Sequence, residues 1–203
     1  MIFDAFGTLV QIGAWRSPYR QLQRLMASHG RPPRQDDVYT MLTTDVGLAG
    51  FAAAVGVDIL GEAFAKIELD LYTELSTVQL FDDALPAIAA LRQAGLKVGV
   101  CSNLAAPYAI PVRLLLPDLD SYSWSFEVGA VKPDPRIYEH ALSTLGVDAG
   151  RTLFVGDTPE ADVRGPERIG MRACLLDRQG EHGGSPALCT LGDLREIGAL
   201  TNR

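Results

Sequence analysis

The stretch Thr152-Leu153-Phe154-Val155-Gly156, followed at once by Asp157, decides the class of fold. A short apolar run of this kind, ended by glycine, is typical of a strand that is buried on both faces of a sheet. The chain continues with a predicted helix over residues 160–169, a glycine at position 170 and a second apolar run over residues 172–176. Strand, helix and strand in this order predict a right-handed crossover between two parallel strands.

The same alternation of helix and strand extends back to residue 82 and forward to a last short helix. Helices are predicted over residues 84–94, 113–116 and 134–145, and strands over residues 96–101 and 122–128. A glycine-rich loop over residues 180–186 precedes the last helix, and Ile2-Phe3 begins the chain as another short apolar strand. Together these segments predict one parallel sheet that is covered by helices on both faces.

Residues 13–77 have a different pattern, without a clear strand. Apolar residues recur there at helical spacing, beginning with Tyr19, Leu22, Leu25 and Met26, and further helices are predicted near residues 36–42, 51–54 and 64–75. We therefore predict an α/β fold with a Rossmann-like parallel-sheet core, residues 1–12 and 78–203, and an inserted small helical cap, residues 13–77. The substrate is expected at the carboxyl ends of the strands, under the cap.

The composition is that of an ordinary globular protein, with 47% hydrophobic and 21% charged residues in a chain of 203. The net charge of −7 argues against nucleic acid or an anionic membrane as the main partner, but it allows a small anionic substrate. The three cysteines are odd in number and widely spaced, which indicates no disulfide framework and no zinc motif and favours a reducing compartment. The opening residues form no signal peptide pattern, so we expect a cytoplasmic location. The oligomeric state is left open by the sequence.

Side chains suited to chemistry follow four of the predicted strands, and a parallel sheet brings such positions to one edge. They are Asp4 with Thr8, Ser102 with Asn103, Lys132, and Asp157 with Asp162. Carboxylates gathered at one edge repel one another unless a cation lies among them, and oxygen ligands of this kind suit Mg²⁺. The lysine adds positive charge, and the hydroxyl groups suit an anionic oxygen. The set predicts a carboxylate nucleophile, a hard metal ion and an anion site the size of a phosphate.

These motifs, in this order, resemble those of the haloacid dehalogenase-like superfamily over nearly the whole chain. The matching segments are Phe3-Asp4-Ala5-Phe6-Gly7-Thr8-Leu9, Ser102-Asn103, Lys132-Pro133-Asp134-Pro135 and Gly156-Asp157-Thr158-Pro159-Glu160-Ala161-Asp162. The helical insertion between the first and second motifs is similar to the helical cap of that superfamily. Each motif alone is weak, but the four in sequence, each after an apolar strand, are a strong signal.

The resemblance implies a role for each matching residue. Asp4 would attack the substrate and form a covalent aspartyl intermediate, while Lys132 would orient Asp4 and offset its charge. The substrate would be bound by Thr8, Ser102 and Asn103. Mg²⁺ would be held by Asp4, the backbone carbonyl of Phe6, Asp157 and, directly or through water, Asp162.

One position departs from the phosphatases of this superfamily, which carry a second aspartate two residues after the nucleophile. Here that position is Phe6. The missing aspartate protonates the leaving group and later activates water, and such help is typically worth about 10²–10⁴-fold. The Asp-Ala-Phe-Gly-Thr form instead resembles the 2-haloacid dehalogenases, which Asn103, Lys132 and Tyr138 also match. Those enzymes lack the metal-binding fourth motif, so this chain combines features of both branches.

Three functions are compatible with this combination. The favoured one is Mg²⁺-dependent hydrolysis of a small phosphorylated metabolite, because Asp157 and Asp162 have no purpose in a metal-free dehalogenase. The second is metal-independent dehalogenation of a 2-haloacid, which Phe6 supports. Dehalogenases also use an arginine of the early cap, and residues 31 and 34 are arginines near that region. The third is a binding or regulatory protein that keeps the fold but turns substrate over weakly.

Overall fold

The computed structural model of the chain describes residues 1–59, 61–180 and 189–198. The strands of the described residues are β1 Ile2–Phe3, β2 Val10–Ile12, β3 Val78–Leu80, β4 Gly99–Ser102, β5 Ser121–Trp124, β6 Leu153–Gly156, β7 Arg172–Leu176 and β8 Thr190–Leu191. Six of them form one sheet in the order β5-β4-β1-β6-β7-β8, and all neighbours in it are parallel. The predicted α/β class with a parallel sheet is confirmed.

The α-helices of the described residues cover both the predicted insertion and the sheet. They are α1 Pro18–Ser28, α2 Asp37–Thr43, α3 Leu48–Ala54, α4 Glu62–Ser76, α5 Ala84–Gln93, α6 Ala109–Leu115, α7 Ser125–Val128, α8 Pro135–Leu145 and α9 Gly165–Arg168. Helix α8 begins as its sequence predicts, because the Asp134 side chain accepts a hydrogen bond from the backbone N–H of Arg136. It ends at Gly146, which adopts the left-handed conformation with φ 64°.

The register of the sheet explains why the site lies where it does. Ile2 of β1 pairs with Gly99 on one side and with Phe154 on the other, so the central strands end at the same level. All residues of β1, β4 and β6 are buried. Two hydrophobic clusters lie on opposite faces of this sheet, one including residues of α5 and α6 and the other residues of α8. The loops that follow these strands therefore meet at one edge.

Residues 18–76 form four helices with a hydrophobic cluster of their own. The cluster includes Leu22, Met26, Phe51, Phe64 and Ile67. The chain enters and leaves this helical segment through β2 and β3, which pair antiparallel with Ile12 opposite Val78. The separation of the clusters supports the proposed division into core and cap, whose boundaries at residues 12 and 78 remain a prediction.

Some sequence-based predictions need correction. Residues 122–128 are not one strand, because β5 ends at Trp124 and the chain turns into α7, where the Ser125 hydroxyl accepts a hydrogen bond from the backbone N–H of Leu104. The helix predicted over residues 160–169 is a π-helical turn, Pro159–Arg164, followed by α9. The last helix is a short 3-10 turn, Leu194–Ile197. Most of the predicted loop over residues 180–186 lies outside the described residues.

The prediction that the cysteines form no disulfide is wrong. Cys174 and Cys189 are bonded to each other, with their Cα atoms 4.6 Å apart. The chain returns beside β7 before β8 begins, and the backbone N–H of Leu175 donates to the carbonyl of Cys189 over 2.8 Å. This approach of two distant segments is a tertiary effect, which the spacing of the cysteines does not reveal. Cys101 is a buried free thiol.

Among the described residues, none of the helices has both the length and the apolar character that crossing a bilayer requires.

Candidate active site

Asp4 lies directly after β1, at the carboxyl edge of the sheet. Its backbone N–H donates to the carbonyl of Val155 over 2.9 Å, which ties the loop to the neighbouring strand β6. Its carboxylate accepts a hydrogen bond from the ammonium of Lys132, with Nζ 2.6 Å from Oδ1. Asp4 is 7% exposed, so the predicted nucleophile is shielded from bulk water but can be reached.

Lys132 connects two carboxylates. Its Nζ lies 2.6 Å from Asp4 Oδ1 and 2.6 Å from Asp162 Oδ1. Burial alone would lower the pKa of Lys132, but the negative charges of Asp162 and Asp4 outweigh burial and raise it. Lys132 is therefore a charged group that holds the carboxylates of Asp4 and Asp162 in fixed positions.

Asp157 and Asp162 enter the site because two glycines leave room for them. A Cβ atom on Gly7 would lie 2.0 Å from Asp157 Oδ2, and a Cβ atom on Gly156 would lie 2.3 Å from Asp162 Cγ. Gly7 also has φ 83°, a conformation that favours glycine. The Asp162 carboxylate accepts a further hydrogen bond from the backbone N–H of Thr158 over 2.9 Å.

The carboxylates form an electrostatically costly group. Burial, followed by the charge of Asp4, raises the pKa of Asp157. Burial also raises the pKa of Asp162, to about 6, despite the opposing effect of Lys132. One ligand oxygen from each of Asp4, Asp157 and Asp162 lies within 4.8 Å of the others. Three acidic groups with a single lysine leave an excess of negative charge, and hard oxygen donors of this kind fit Mg²⁺. The three carboxylates among the predicted metal ligands are thus brought together by the fold, while the carbonyl of Phe6 stays a predicted ligand.

The hydroxyl groups predicted to bind an anion lie at the same edge. Thr8 is fully buried, and its Oγ1 has no hydrogen-bond partner among the described residues. A buried hydroxyl without a partner is unfavourable, so this atom has capacity for a ligand oxygen. Ser102, the last residue of β4, is 2% exposed. Their contact with substrate stays a prediction.

Asn103 is engaged by the protein itself. Its side chain donates to the carbonyl of Lys132 over 3.0 Å and accepts from the backbone N–H of Lys132 over 2.7 Å. This pair of hydrogen bonds positions the loop that carries the lysine. Asn103 also lines the neighbouring cavity, so the predicted substrate contact remains a prediction beside this structural role.

Two ionic groups that support the site escaped the sequence analysis. Arg178 donates to the carbonyl of Thr8 over 2.7 Å and is paired with the buried carboxylate of Asp83. Nothing in the sequence connects these distant positions. Glu74 of α4 is 1% exposed and accepts hydrogen bonds from the backbone N–H of Ser17 and the hydroxyl of Tyr108. The sequence did indicate that Glu74 is buried, because helical spacing places it on the same face of α4 as the buried apolar residues.

Phe6 faces a cavity instead of supplying a carboxylate. The cavity has a volume of about 430 Å³ and lies between the helical segment and the loops after β1 and β4. The ring of Phe6 meets the ring of Tyr108 edge to face, with centroids 5.8 Å apart. The position two residues after Asp4 is thus part of an apolar wall.

Comparison with known proteins decides the family. A family model described as haloacid dehalogenase-like hydrolase matches residues 1–170. The chain is a haloacid dehalogenase-like hydrolase. The resemblance of the sequence to this superfamily is thereby confirmed.

Relatives of this hydrolase include phosphatases by name. It is 36% identical over 140 residues to Phosphatase MT3486 of Mycobacterium tuberculosis, a match that covers 67% of this chain and 62% of that protein. The chain spans less than two thirds of the length of the first curated relatives that it matches. These relatives favour the phosphatase type over the dehalogenase type.

Solved structures from both branches share the fold. A HAD phosphatase from Thermococcus onnurineus superposes with a TM-score of 0.70 at 22% identity, covering 98% of this chain and 96% of that one. A 2-haloacid dehalogenase from Pseudomonas syringae gives 0.68 at 20% identity, covering 100% and 97%. At such identities the likeness establishes the fold alone.

Proposed function

We propose that this hydrolase is a Mg²⁺-dependent phosphatase that acts on a small phosphorylated metabolite through a covalent intermediate on Asp4. The observation that carries the proposal is the grouping of Asp4, Asp157 and Asp162 around a single lysine. A metal-free dehalogenase gains nothing from the added carboxylates, whereas a phosphatase needs them to hold a dication beside a phosphate.

Each residue of the site has a task in this reaction. Asp4 supplies the oxygen that attacks phosphorus, and Lys132 holds that carboxylate in place through its hydrogen bond to Oδ1. Thr8 and Ser102 donate to the oxygens of the transferred group, and the buried hydroxyl of Thr8 has no partner in the described part of the chain that would compete for it. The metal would be held by Asp4, the carbonyl of Phe6, Asp157 and Asp162. Bound Mg²⁺ would supply positive charge that offsets the carboxylates and the phosphoryl oxygens.

Phe6 determines which phosphates can react. With no carboxylic acid at this position, the leaving oxygen departs without a proton from the protein. General acid catalysis of this kind is typically worth about 10²–10⁴-fold. The proposal therefore favours substrates whose leaving group is stable as an anion.

The test is hydrolysis of p-nitrophenyl phosphate by the full chain, with Mg²⁺ and with a chelator. We expect turnover that requires Mg²⁺ and falls at least about 10³-fold in Asp4→Asn, because the nucleophile is lost. Asp148→Asn is the matched control, since Asp148 is exposed on the surface and makes the same loss of charge. Turnover that survives in the chelator or in Asp4→Asn would overturn the proposal.

Dehalogenation of a 2-haloacid is the second candidate, and Phe6 favours it because halide departs without a proton. One observation weakens it: Arg31 is committed to an ion pair with the buried carboxylate of Asp37 inside the helical segment. Chloride release from 2-chloropropionate in the presence of chelator would establish this function. Tight ligand binding without turnover of either substrate would instead support a regulatory protein.

A further inference from the structure

The cavity beside the catalytic loop has a distinctive chemistry. Its volume is about 430 Å³, which is enough for a ring-sized group. Its wall is dominated by aromatic and apolar side chains, and we call it the aromatic pocket, defined by Phe6, Trp15, Tyr19, Met41, Leu42 and Tyr108. The rings of Tyr19 and Tyr108 lie tilted, with centroids 6.4 Å apart. A sugar or polyol phosphate would find few polar partners on these walls.

The aromatic pocket adjoins the reacting groups. Phe6 follows Asp4 by two residues, and Asn103, which also lines the cavity, is hydrogen bonded to the backbone of Lys132. A group that is attached to a phosphate held at Asp4 therefore has the aromatic pocket as its neighbouring space.

One polar atom in the wall lacks a partner. The hydroxyl of Tyr19 is buried and has no hydrogen bond to any of the described residues. The hydroxyl of Tyr108, by contrast, is occupied by Glu74 at 2.6 Å. Buried hydroxyl groups are normally satisfied, so the Tyr19 hydroxyl is suited to a polar substituent on a ligand. At the rim, Arg20 adds an exposed cation among the lining residues.

The wall is also held in place before a ligand binds. Glu74 accepts hydrogen bonds from Ser17 and Tyr108 and so joins the start of the helical segment to the loop after β4. Ser17 itself has φ 55°, a left-handed conformation that is uncommon outside glycine. Such a conformation persists where the surroundings fix it, which indicates a preformed pocket.

We propose that the substrate is an aryl phosphate, a phosphate ester of a phenol-type alcohol, whose ring occupies the aromatic pocket and carries a polar group facing Tyr19. The inference rests on the proposed phosphatase function and names its substrate class. Two features lead to it: the aromatic wall, in which Phe6 is joined by Trp15, Tyr19 and Tyr108, and the absence of an acid at position 6. A phenol ionises near pH ~10, as tyrosine does, so its oxygen departs as an anion far more readily than that of an aliphatic alcohol.

The reaction balances without a proton from the protein. An oxygen of the Asp4 carboxylate forms a bond to phosphorus while the bond between phosphorus and the ring oxygen breaks. The aryloxide leaves with that electron pair and takes a proton from water. A second water then attacks the phosphoryl group, the bond to Asp4 breaks, and inorganic phosphate and the free carboxylate result.

The experiment separates recognition of the ring from reactivity of the leaving group. The full chain with Mg²⁺ is given p-nitrophenyl phosphate and acetyl phosphate, both of which have stable leaving anions, while only the first has a ring. We expect kcat/KM for the aryl ester to exceed that for acetyl phosphate by at least about tenfold. Met41→Trp, which fills the pocket, should lower this ratio at least about tenfold, and Tyr19→Phe should lower it about threefold or more.

Tyr72→Phe is the matched control, because Tyr72 is 64% exposed on α4 and makes the same loss of a hydroxyl group. It should leave the ratio unchanged. Turnover of both substrates with no aryl preference, or a ratio that neither pocket variant changes, would overturn the inference and leave the phosphatase function standing. No Mg²⁺-dependent turnover of either substrate would instead remove the phosphatase function, and the inference with it.

Discussion

The carboxylates of Asp4, Asp157 and Asp162 form a carboxylate cluster, which lies beside the aromatic pocket. The two regions are built in different ways. The residues of the carboxylate cluster follow strands β1 and β6 of one parallel sheet, so they converge wherever that sheet forms. The aromatic pocket combines residues of the helical segment with Phe6 and Tyr108 of the sheet loops. Its shape depends on how helices pack over the sheet, and one buried acid, Glu74, joins the two sides.

In the proposed function, chemistry and selectivity reside in different regions. The first region would determine the reaction, because its carboxylates suit a dication and its lysine and hydroxyl groups suit an anionic substrate. The second region fixes the leaving group, since an apolar wall and a missing acid favour the same kind of molecule. If this division is correct, changes in the first region should alter stability and turnover of every substrate. Changes in the second should alter the ranking of substrates.

The largest effect on stability is expected from Lys132→Met. This change leaves the carboxylates of Asp4 and Asp162 buried without their cation, which typically costs about 3–5 kcal/mol. Unfolding by urea in the presence of chelator measures it, and added Mg²⁺ should restore part of the loss. Lys66→Met, on the exposed face of α4, should change the free energy of unfolding by less than about 0.5 kcal/mol. Equal effects of the two substitutions would show that Lys132 does not balance the carboxylates.

Gly7→Ala separates the backbone requirement from the space that Asp157 needs. The new methyl group would lie against the Asp157 carboxylate, so we expect loss of about 2–4 kcal/mol together with weaker Mg²⁺ binding. Gly30→Ala has nearly the same φ, 85° against 83°, and open space around its Cβ, so it should cost only about 1–2 kcal/mol. Calorimetric titration with Mg²⁺ and thermal unfolding provide the readouts. A similar Mg²⁺ affinity in both variants would contradict the assignment of Asp157 to the metal.

Glu74→Gln tests the connection between the two sides of the pocket. An amide accepts at one atom only, so either Tyr108 or the Ser17 backbone loses its acceptor, at a cost of about 1–2 kcal/mol. KM for p-nitrophenyl phosphate should rise more than kcat falls, because the substitution alters the aromatic pocket and leaves the carboxylate cluster unchanged. Glu62→Gln, at an exposed position in the first turn of the same helix, is the control. A loss confined to kcat would place Glu74 in the chemical step.

Thr8→Val should change stability least, and it should stabilise the protein where the other changes destabilise it. Its buried hydroxyl has no partner among the residues that the structure describes, so removing it should stabilise the fold by about 0.5–1 kcal/mol. The same change should weaken inhibition by inorganic phosphate, because an anion donor is lost. Thr144→Val, at an exposed position of α8, controls for the substitution. Unchanged inhibition in Thr8→Val would remove Thr8 from the anion site.

The proximity of the side chains in the first region could be expected from the sequence, because it follows from chain order; their roles remain predictions. Asp4, Lys132, Asp157 and Asp162 each follow a strand or its connecting loop, and the parallel sheet brings them together without further information. The fold class is confirmed for the same reason. The exact ends of the strands were harder to predict from the sequence. Residues 125–128 form a helix in which Ser125 is hydrogen bonded to Leu104, a contact that local composition does not encode.

The second region and the supporting contacts depend on packing between distant segments. Arg178 reaches the carbonyl of Thr8 across 170 positions, and the Cys174–Cys189 bond joins β7 to the residue that precedes β8. Tyr108 belongs to no motif and gains its place through Glu74 and Phe6. Helical periodicity alone could have marked Glu74 as buried, but not what it contacts.

The proposed function requires that Asp4 becomes phosphorylated during turnover. Intact-mass spectrometry detects the added phosphoryl group directly. Phe6 cannot activate water, so the second step should be slow and the phosphorylated chain should accumulate. Acid quenching during hydrolysis of p-nitrophenyl phosphate with Mg²⁺ should show one added phosphoryl group, located at Asp4 and absent from Asp4→Asn and from the chelated enzyme. Turnover with no adduct, or with the adduct on another residue, would contradict the account.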